Sequence, residues 1–345
     1  MEYDRIWLEL NERLRKTEAA EGGLGAALAA LEVHQRENGF IQDNLSDVER
    51  HLFPHPDDPT LSFRVQHNPK RTLRFNGSGV RTPPDRTETL NDGCFLCRDN
   101  IRWQQQNAQM GFEIRMTGDV YHAWMNPFPL LPNHVVIANE DHVSQEWDMA
   151  GDGREGISLT RLLGDLCETA RHLPDHVGFY NGVDAGASIP GHLHFQFLRR
   201  LPADPIFPLE RRAFRAPDEE GRPQTAVDYP VAVARWCGGV AEVVAEAAPW
   251  VRRWAERNGD RLDRLSSNFM AAGQGPDGGV TLYFVPRDRW KSRWNETYGL
   301  VGGLELLGEL VFSSDDEKAM LDGSKVDYFY VERALASVHT PFFDD

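Results

Sequence analysis

Cysteine is scarce, with four in 345 residues. So few thiols in so long a chain make no disulfide framework, and they lead us to expect a reducing, cytoplasmic setting. Positive charge is also short. The 37 Lys and Arg face 53 Asp and Glu, which leaves a formal net charge of −16. That balance argues against nucleic acid or an anionic membrane as the main partner, because both demand a basic field. A small anion stays open, since a local pocket of arginine and backbone N–H groups overrides the net charge. No apolar run approaches the ~18 residues of a transmembrane helix, and none is expected. The segment from Met1 to Lys16 carries Glu2, Asp4, Glu9 and Glu12 without an apolar stretch, so it does not read as a signal peptide. There is no short-period repeat and no low-complexity tract.

Hydrophobic residues make up 41% and charged residues 26%, ordinary globular values that allow a sizeable core. Ile6, Leu10 and Leu14 recur at helical spacing, and Gly22-Gly23-Leu24-Gly25 separates them from a second helix over Ala26 to Arg36. Residues His51 to Pro59 read as a loop, Leu61 to Val65 as a short strand, and Asn68-Pro69-Lys70-Arg71 as a turn. A polar, Gly- and Pro-bearing connection covers Asn76 to Asp92. Strands are expected over Val120 to Met125, His134 to Ala138, Val177 to Tyr180 and His192 to Leu198. Asn126-Pro127-Phe128-Pro129 is no central strand, since each proline removes a ladder donor. A helix spans Glu155 to Leu173, with Leu159, Leu162, Leu163, Leu166 and Ala170 on one face and Pro174 beyond its end. Leu201 to Pro230, rich in proline and charge, reads as a linker or excursion. A helix over Ala232 to Asn258 follows. Strands near Asn268–Ala272 and Val280–Val285 are joined by a turn at Gly275-Pro276-Asp277-Gly278-Gly279, and a last helix covers Ser314 to Leu321.

Two segments carry chemistry. In Cys94-Phe95-Leu96-Cys97 two thiolates three positions apart can grip one metal from a tight turn. A redox pair, a disulfide and two buried thiols are the other readings, although a thioredoxin-type motif sits near a βαβ pattern that is missing here. In His192-Leu193-His194-Phe195-Gln196, alternation along a strand puts His192, His194 and Gln196 on one face and Leu193, Phe195 and Phe197 on the other. That suits a strand with a core on one side and either a site or a solvated polar row on the other. The preceding Asn181–Ser188 loop, with Gly182, Gly186 and small neighbours, lets backbone N–H groups approach an anion.

Together these segments resemble the histidine-triad superfamily, in the branch of galactose-1-phosphate uridylyltransferases, diadenosine tetraphosphate phosphorylases and GDP-hexose phosphorylases. His192-Leu193-His194-Phe195-Gln196 looks like the GDP-hexose phosphorylase form of that branch's motif. Cys94-Phe95-Leu96-Cys97 with Arg98-Asp99-Asn100 resembles the uridylyltransferases' zinc segment, and Asp141-His142 resembles the source of their third ligand. Asn126-Pro127-Phe128-Pro129 with His134 is similar to the phosphorylases' nucleotide-pocket strand, and Val65 to Arg71 to their N-terminal Asn-Pro segment. Asn268-Phe269 and Val285-Pro286-Arg287 look like the second half of the fold.

The resemblance implies an α+β fold of two similar half-domains with antiparallel sheets and flanking helices. Its parts would be an N-terminal helical extension (1–50), a catalytic half (51–200), the Pro-rich segment (201–230) and a second half (231–345). It implies a nucleotidyltransferase or phosphorylase acting on a nucleoside diphosphate sugar, GDP-hexose first. The alternatives are a diadenosine polyphosphate phosphorylase or a non-catalytic zinc-stabilised nucleotide-binding protein. His194 would be the nucleophile, Gln196 a donor to a phosphate oxygen, and Ser188 a stabiliser of developing charge. Asn126, Phe128, Asn181, Gly186, Arg71 and Arg74 would contact the nucleotide. Structural zinc would sit on Cys94, Cys97, His142 and His192. The partners would be the nucleotide sugar or dinucleotide and a phosphate or sugar-phosphate acceptor, with a homodimer or a two-half monomer as the assembly.

Overall fold

The apolar stripe Leu159, Leu162, Leu163, Leu166 and Ala170 becomes the wholly buried face of a helix, Leu159–His172. Ser158 caps it by accepting the backbone N–H of Arg161. Burying each leucine of that stripe contributes about 1.5–3 kcal/mol. The surface it covers belongs to the sheet that organises the molecule. The structure, a computed structural model, describes residues 2–41, 43–76, 90–104, 108–116, 118–150, 156–217, 222–275, 278–291 and 300–343.

The described helices are α1 (Glu2–Glu21), α2 (Leu24–Glu37), α3 (Arg98–Gln104), α4 (Leu159–His172), α5 (Val240–Arg257), α6 (Gly303–Leu306), α7 (Asp315–Asp322) and α8 (Tyr328–Ala336). The first strands are β1 (Glu49–Pro54), β2 (Ser62–His67), β3 (Gly111–Met116), β4 (Asp119–Met125), β5 (Val135–Asn139), β6 (His176–Asn181) and β7 (His194–Arg199). The later ones are β8 (Phe214–Arg215), β9 (Gln224–Ala226), β10 (Ala234–Gly238), β11 (Leu265–Gly273), β12 (Val280–Asp288) and β13 (Glu309–Phe312). Among the described residues a ten-stranded sheet runs β3-β4-β5-β7-β6-β11-β12-β10-β9-β8, antiparallel throughout, and a three-stranded sheet runs β1-β2-β13. Strands before residue 200 and strands after it meet at the β6–β11 pair, where Asn181 faces Asn268. The fold is α+β.

Alternation along the strands sorts side chains between two cores. Phe195 and Phe197 of β7, Phe269 and Ala271 of β11, and Leu282 and Phe284 of β12 pack under α1, α2, α4 and α5. Leu198, Met270, Tyr283 and Val285 point the other way, toward α6, α8 and the small sheet. His194 and Gln196 share parity with Leu198, so they emerge on that second side.

Four sequence expectations differ from the fold. The loop expected over His51 to Pro59 begins as strand β1, an edge strand that tolerates histidine and a terminal proline because only one side is paired. The helix expected over Ala232 to Asn258 splits: Ala234–Gly238 pairs with β12, placing Trp236 opposite Leu282, and Gly238-Gly239 breaks the chain before α5. The Leu201–Pro230 segment supplies buried Phe207 and Leu209 and two short strands that finish the sheet, β9 beside β10 and β8 at the edge. Finally, the strand expected from His192 starts at His194. The connection over Asn76 to Asp92 lies largely outside the described residues, as do Pro276 and Asp277, while the Gly278 N–H donates to the Gly275 carbonyl at 3.0 Å across the turn between β11 and β12.

Candidate active site and metal centre

His194 begins β7 and is 2% exposed. Its Nδ1–H donates to the backbone carbonyl of His192 at 2.8 Å. That bond fixes the tautomer and leaves Nε2 as the free nitrogen on the cavity side. Burial pushes its pKa down to about 4, against the opposing pull of the His192 carbonyl, so the ring is a neutral imidazole near pH 7.

The cavity beside it measures about 540 Å³. Arg71, Asn126, Phe128, Asn181, Gly186, Ser188, His194 and Gln196 all line it. The backbone folds this way for local reasons. Asn126 Oδ1 accepts the N–H of Phe128 at 2.9 Å, a turn that Pro127 and Pro129 favour over a strand. Gly186 holds φ +107°, and a Cβ there would come within 2.7 Å of Gly302 Cα, so this position admits only glycine without strain. Arg71 donates to the Phe128 carbonyl, which brings its guanidinium to the cavity wall. Ser188 is exposed at the rim. The side chain of Arg74 lies outside the described residues. His192, expected on the same face as His194 and Gln196, precedes the strand and turns to a different cluster.

That cluster is Cys94, Cys97, His142 and His192, whose ligand atoms lie within 4.8 Å of one another. Cys94 Sγ is 3.4 Å from His192 Nδ1, Cys97 Sγ is 3.3 Å from His142 Nδ1, and the two Nδ1 atoms are 3.2 Å apart. A tetrahedral ion with bonds of about 2.0–2.3 Å needs ligand separations of about 3.3–3.8 Å, which these match. His192 Nε2 donates to the Asn139 carbonyl at 2.7 Å, so its Nδ1 lone pair faces the cluster. The Cys97 thiol and His192 beside it hold Cys94 below the ordinary thiol range, and the Cys94 contact and burial raise Cys97 in turn. The donor set suits a four-coordinate cation with no open position for substrate.

Three parts of the site gave no usable signal in the sequence. Gln145, fully buried, lies in the loop between β5 and α4. Its Oε1 accepts the His194 N–H at 2.8 Å, and its Nε2 donates to the carbonyls of Asn181 and His194 at 2.9 and 3.0 Å. A lone glutamine in a polar stretch announces nothing of the kind. The far wall comes from Gly302, Gly303 and Glu305, more than a hundred residues downstream of His194. It is tied in by the Gly303 N–H to Asn181 Oδ1 bond at 2.9 Å, and Asn268 Nδ2 donates to the same oxygen at 2.8 Å. Arg287, wholly buried, supports Asn268 Oδ1 at 2.7 Å and the Val301 carbonyl at 2.8 Å. Lastly, Trp147 Nε1 donates to Ser267 Oγ at 3.0 Å, and Arg289 pairs with Glu146 at 2.6 Å, anchoring the Gln145 loop to β11 and to the residue after β12.

Comparison with known proteins bears on the fold. Residues 32–199 match the family model described as a domain of unknown function, DUF4922. No curated protein sequence matches the chain. Among solved structures, yeast Ap4A phosphorylase Apa2 is similar at a TM-score of 0.60 and 15% identity, covering 91% of this chain and 97% of that one. The same protein in complex with AMP gives 0.58 and 15%, covering 91% and 95%. Its complex with Ap4A gives 0.56 and 14%, covering 91% and 97%. The likeness covers 91% of the chain, which takes in both runs of the ten-stranded sheet, so the chain carries the fold of yeast Ap4A phosphorylase Apa2.

Proposed function

We propose that this chain is a nucleotidyltransferase of the phosphorylase type, working through a covalent nucleotidyl-histidine at His194. The observation that carries the reading is the His194 Nδ1–H bond to the His192 carbonyl just before the strand, which leaves Nε2 free beside a cavity edged by the Gly186–Ser188 loop. The Nε2 lone pair forms a bond to the α-phosphorus of a nucleoside diphosphoryl compound. The bond from that phosphorus to the bridging oxygen breaks, and the leaving phosphate keeps the electron pair. An oxygen of inorganic phosphate or of a sugar phosphate then attacks the same phosphorus, the P–N bond breaks, and the imidazole recovers its lone pair. Gln196 binds a non-bridging oxygen, and the Gly186–Ser188 segment with Arg71 meets the charge on the phosphates.

Two donors fit this chemistry. The His192–Gln196 segment favours GDP-hexose by its form. Similarity to yeast Ap4A phosphorylase Apa2, along 91% of this chain, favours a dinucleoside polyphosphate. Cys94, Cys97, His142 and His192 would hold zinc as a closed structural site, locking the residue two positions before the nucleophile. The test is a panel of nucleoside diphosphate sugars and dinucleoside polyphosphates with phosphate as acceptor, read by mass spectrometry. The expected result is phosphate-dependent release of a nucleoside diphosphate and a nucleotidyl adduct on the His194 peptide. Release that survives in His194→Gly overturns the mechanism.

A further inference from the structure

His134, 2% exposed, sits directly before β5 and is bonded at both ring nitrogens. Its Nδ1 is 3.2 Å from the backbone nitrogen of Leu130, and its Nε2 is 2.9 Å from Oε1 of Gln196. The neighbours dictate where the hydrogens lie. A backbone amide only donates, so Nδ1 must be the lone-pair nitrogen. A neutral imidazole carries one N–H, which is therefore on Nε2. A donor at Nε2 demands an acceptor, so Gln196 must turn its carbonyl oxygen to His134 and its NH₂ away. Gln196 lines the cavity beside His194. Deep burial pushes the His134 pKa down to about 3, which keeps the ring neutral over the working range.

We infer that His134 is a positioning residue that locks the side-chain amide of Gln196 with its NH₂ group directed at the reacting phosphate. The kinetic half of this inference rests on the nucleotidyl transfer proposed above, and the orientation itself rests on geometry alone. The lock matters because an amide is symmetric in shape and opposite in polarity at its two ends. With NH₂ toward the cavity, Gln196 donates to a non-bridging oxygen and has no proton to lose. Flipped, it would aim a carbonyl oxygen at an anionic phosphate, which loses a hydrogen bond and adds repulsion. Nothing on Gln196 itself chooses between the two, and the buried imidazole does.

Two measurements on the full-length chain test this. The first is ¹⁵N NMR of histidine-labelled protein, with the His134 signals assigned by their loss in His134→Gln. A hydrogen on Nε2 and a bare Nδ1 are expected, and a hydrogen on Nδ1 overturns the inference. The second is a kinetic cycle. His134→Leu should lower kcat about tenfold or more with KM changed less than about threefold, because the lost donor acts on the transferring group. His134→Gln, which returns a donor near the Nε2 position, should recover most of that loss. In a Gln196→Ala background His134→Leu should cost nothing further. Losses that multiply in the double variant, or equal losses in the Leu and Gln variants, would show a purely structural histidine and overturn the inference. A wild-type protein that transfers no nucleotidyl group from any donor overturns the proposed function instead, and the tautomer still decides the orientation.

Discussion

The side-chain oxygen of Gln145 accepts the backbone N–H of His194 at 2.8 Å. The same amide donates to the His194 carbonyl, so one buried side chain fixes both sides of the residue that begins β7. The backbone at Gln145 is held in turn by the Tyr180 hydroxyl, which donates to its carbonyl. Gln145→Leu keeps the volume and leaves one N–H and two carbonyls without a partner. It should destabilise the fold by about 3 kcal/mol or more, at roughly 1–3 kcal/mol per buried orphan, read as a lower urea midpoint. Near that midpoint, activity should fall through kcat, because a tilted imidazole misaligns Nε2.

Metal analysis gives a second expectation. Full-length protein purified without added metal should carry about one zinc per chain, as a closed Cys₂His₂ set does. His142→Ala removes one ligand while leaving His192 and the β7 entry in place, and should weaken zinc retention about 10-fold or more. Substoichiometric metal in a protein that unfolds as cooperatively as a fully loaded one would mean that the cysteines are simply buried.

The Gly186 position is predicted to resist any side chain. At φ +107° and with Gly302 Cα 2.7 Å from a hypothetical Cβ, Gly186→Ala must shift the loop or the opposite wall. The strain costs about 1–3 kcal/mol. Because the loop lines the cavity, KM for the nucleotide should rise about tenfold at similar kcat, measured under steady-state conditions. An unchanged KM would remove this loop from substrate binding.

Acid sensitivity follows from a histidine far from the cavity chemistry. His176 is 4% exposed, its Nε2 is 3.0 Å from Asn133 Oδ1, and burial pushes its pKa down to about 3. A base whose folded pKa lies below its unfolded value stabilises the fold above about pH 6.5, and that contribution is lost as the pH falls toward the folded value. Over that window this one group should lower stability by about 1.4 kcal/mol per pH unit. His176→Gln should flatten the pH dependence of the unfolding free energy between about pH 6 and 4 by that slope. An equal slope in variant and wild type would sink the assignment.

Much of the site was legible before any coordinates, and for identifiable reasons. Cys94 and Cys97 are three positions apart in one turn, so local geometry brings them together. His194 and Gln196 share a face because strand parity is a local rule, and the Gly-rich Asn181–Ser188 loop follows from small residues in sequence. The cavity lining by Arg71, Asn126 and Phe128 came from ordered segments that resemble a known family. His192 shows where a local rule stops: parity placed it with His194, but the strand begins two residues later, and His192 turns to the cysteines instead.

Local sequence accounts for most of the elements, while β1 and β10 are strands because they pair with β2 and β12. The leucine stripe of α4, the alternation in β6, β7, β11 and β12, and the prolines after Asn126 act over a few residues and need no distant partner. Which residues meet across the fold depends on how the sheet assembles. The β6–β11 pairing sets Asn181 against Asn268, Gly303 closes on Asn181, and Gln145 reaches the backbone of His194. Those contacts join residues tens to more than a hundred positions apart. They arise from burying two faces of one continuous sheet at once, with a hydrogen-bond partner for the polar groups at its centre. Periodicity records which side of a strand is apolar, and it holds no record of which distant amide will complete the site.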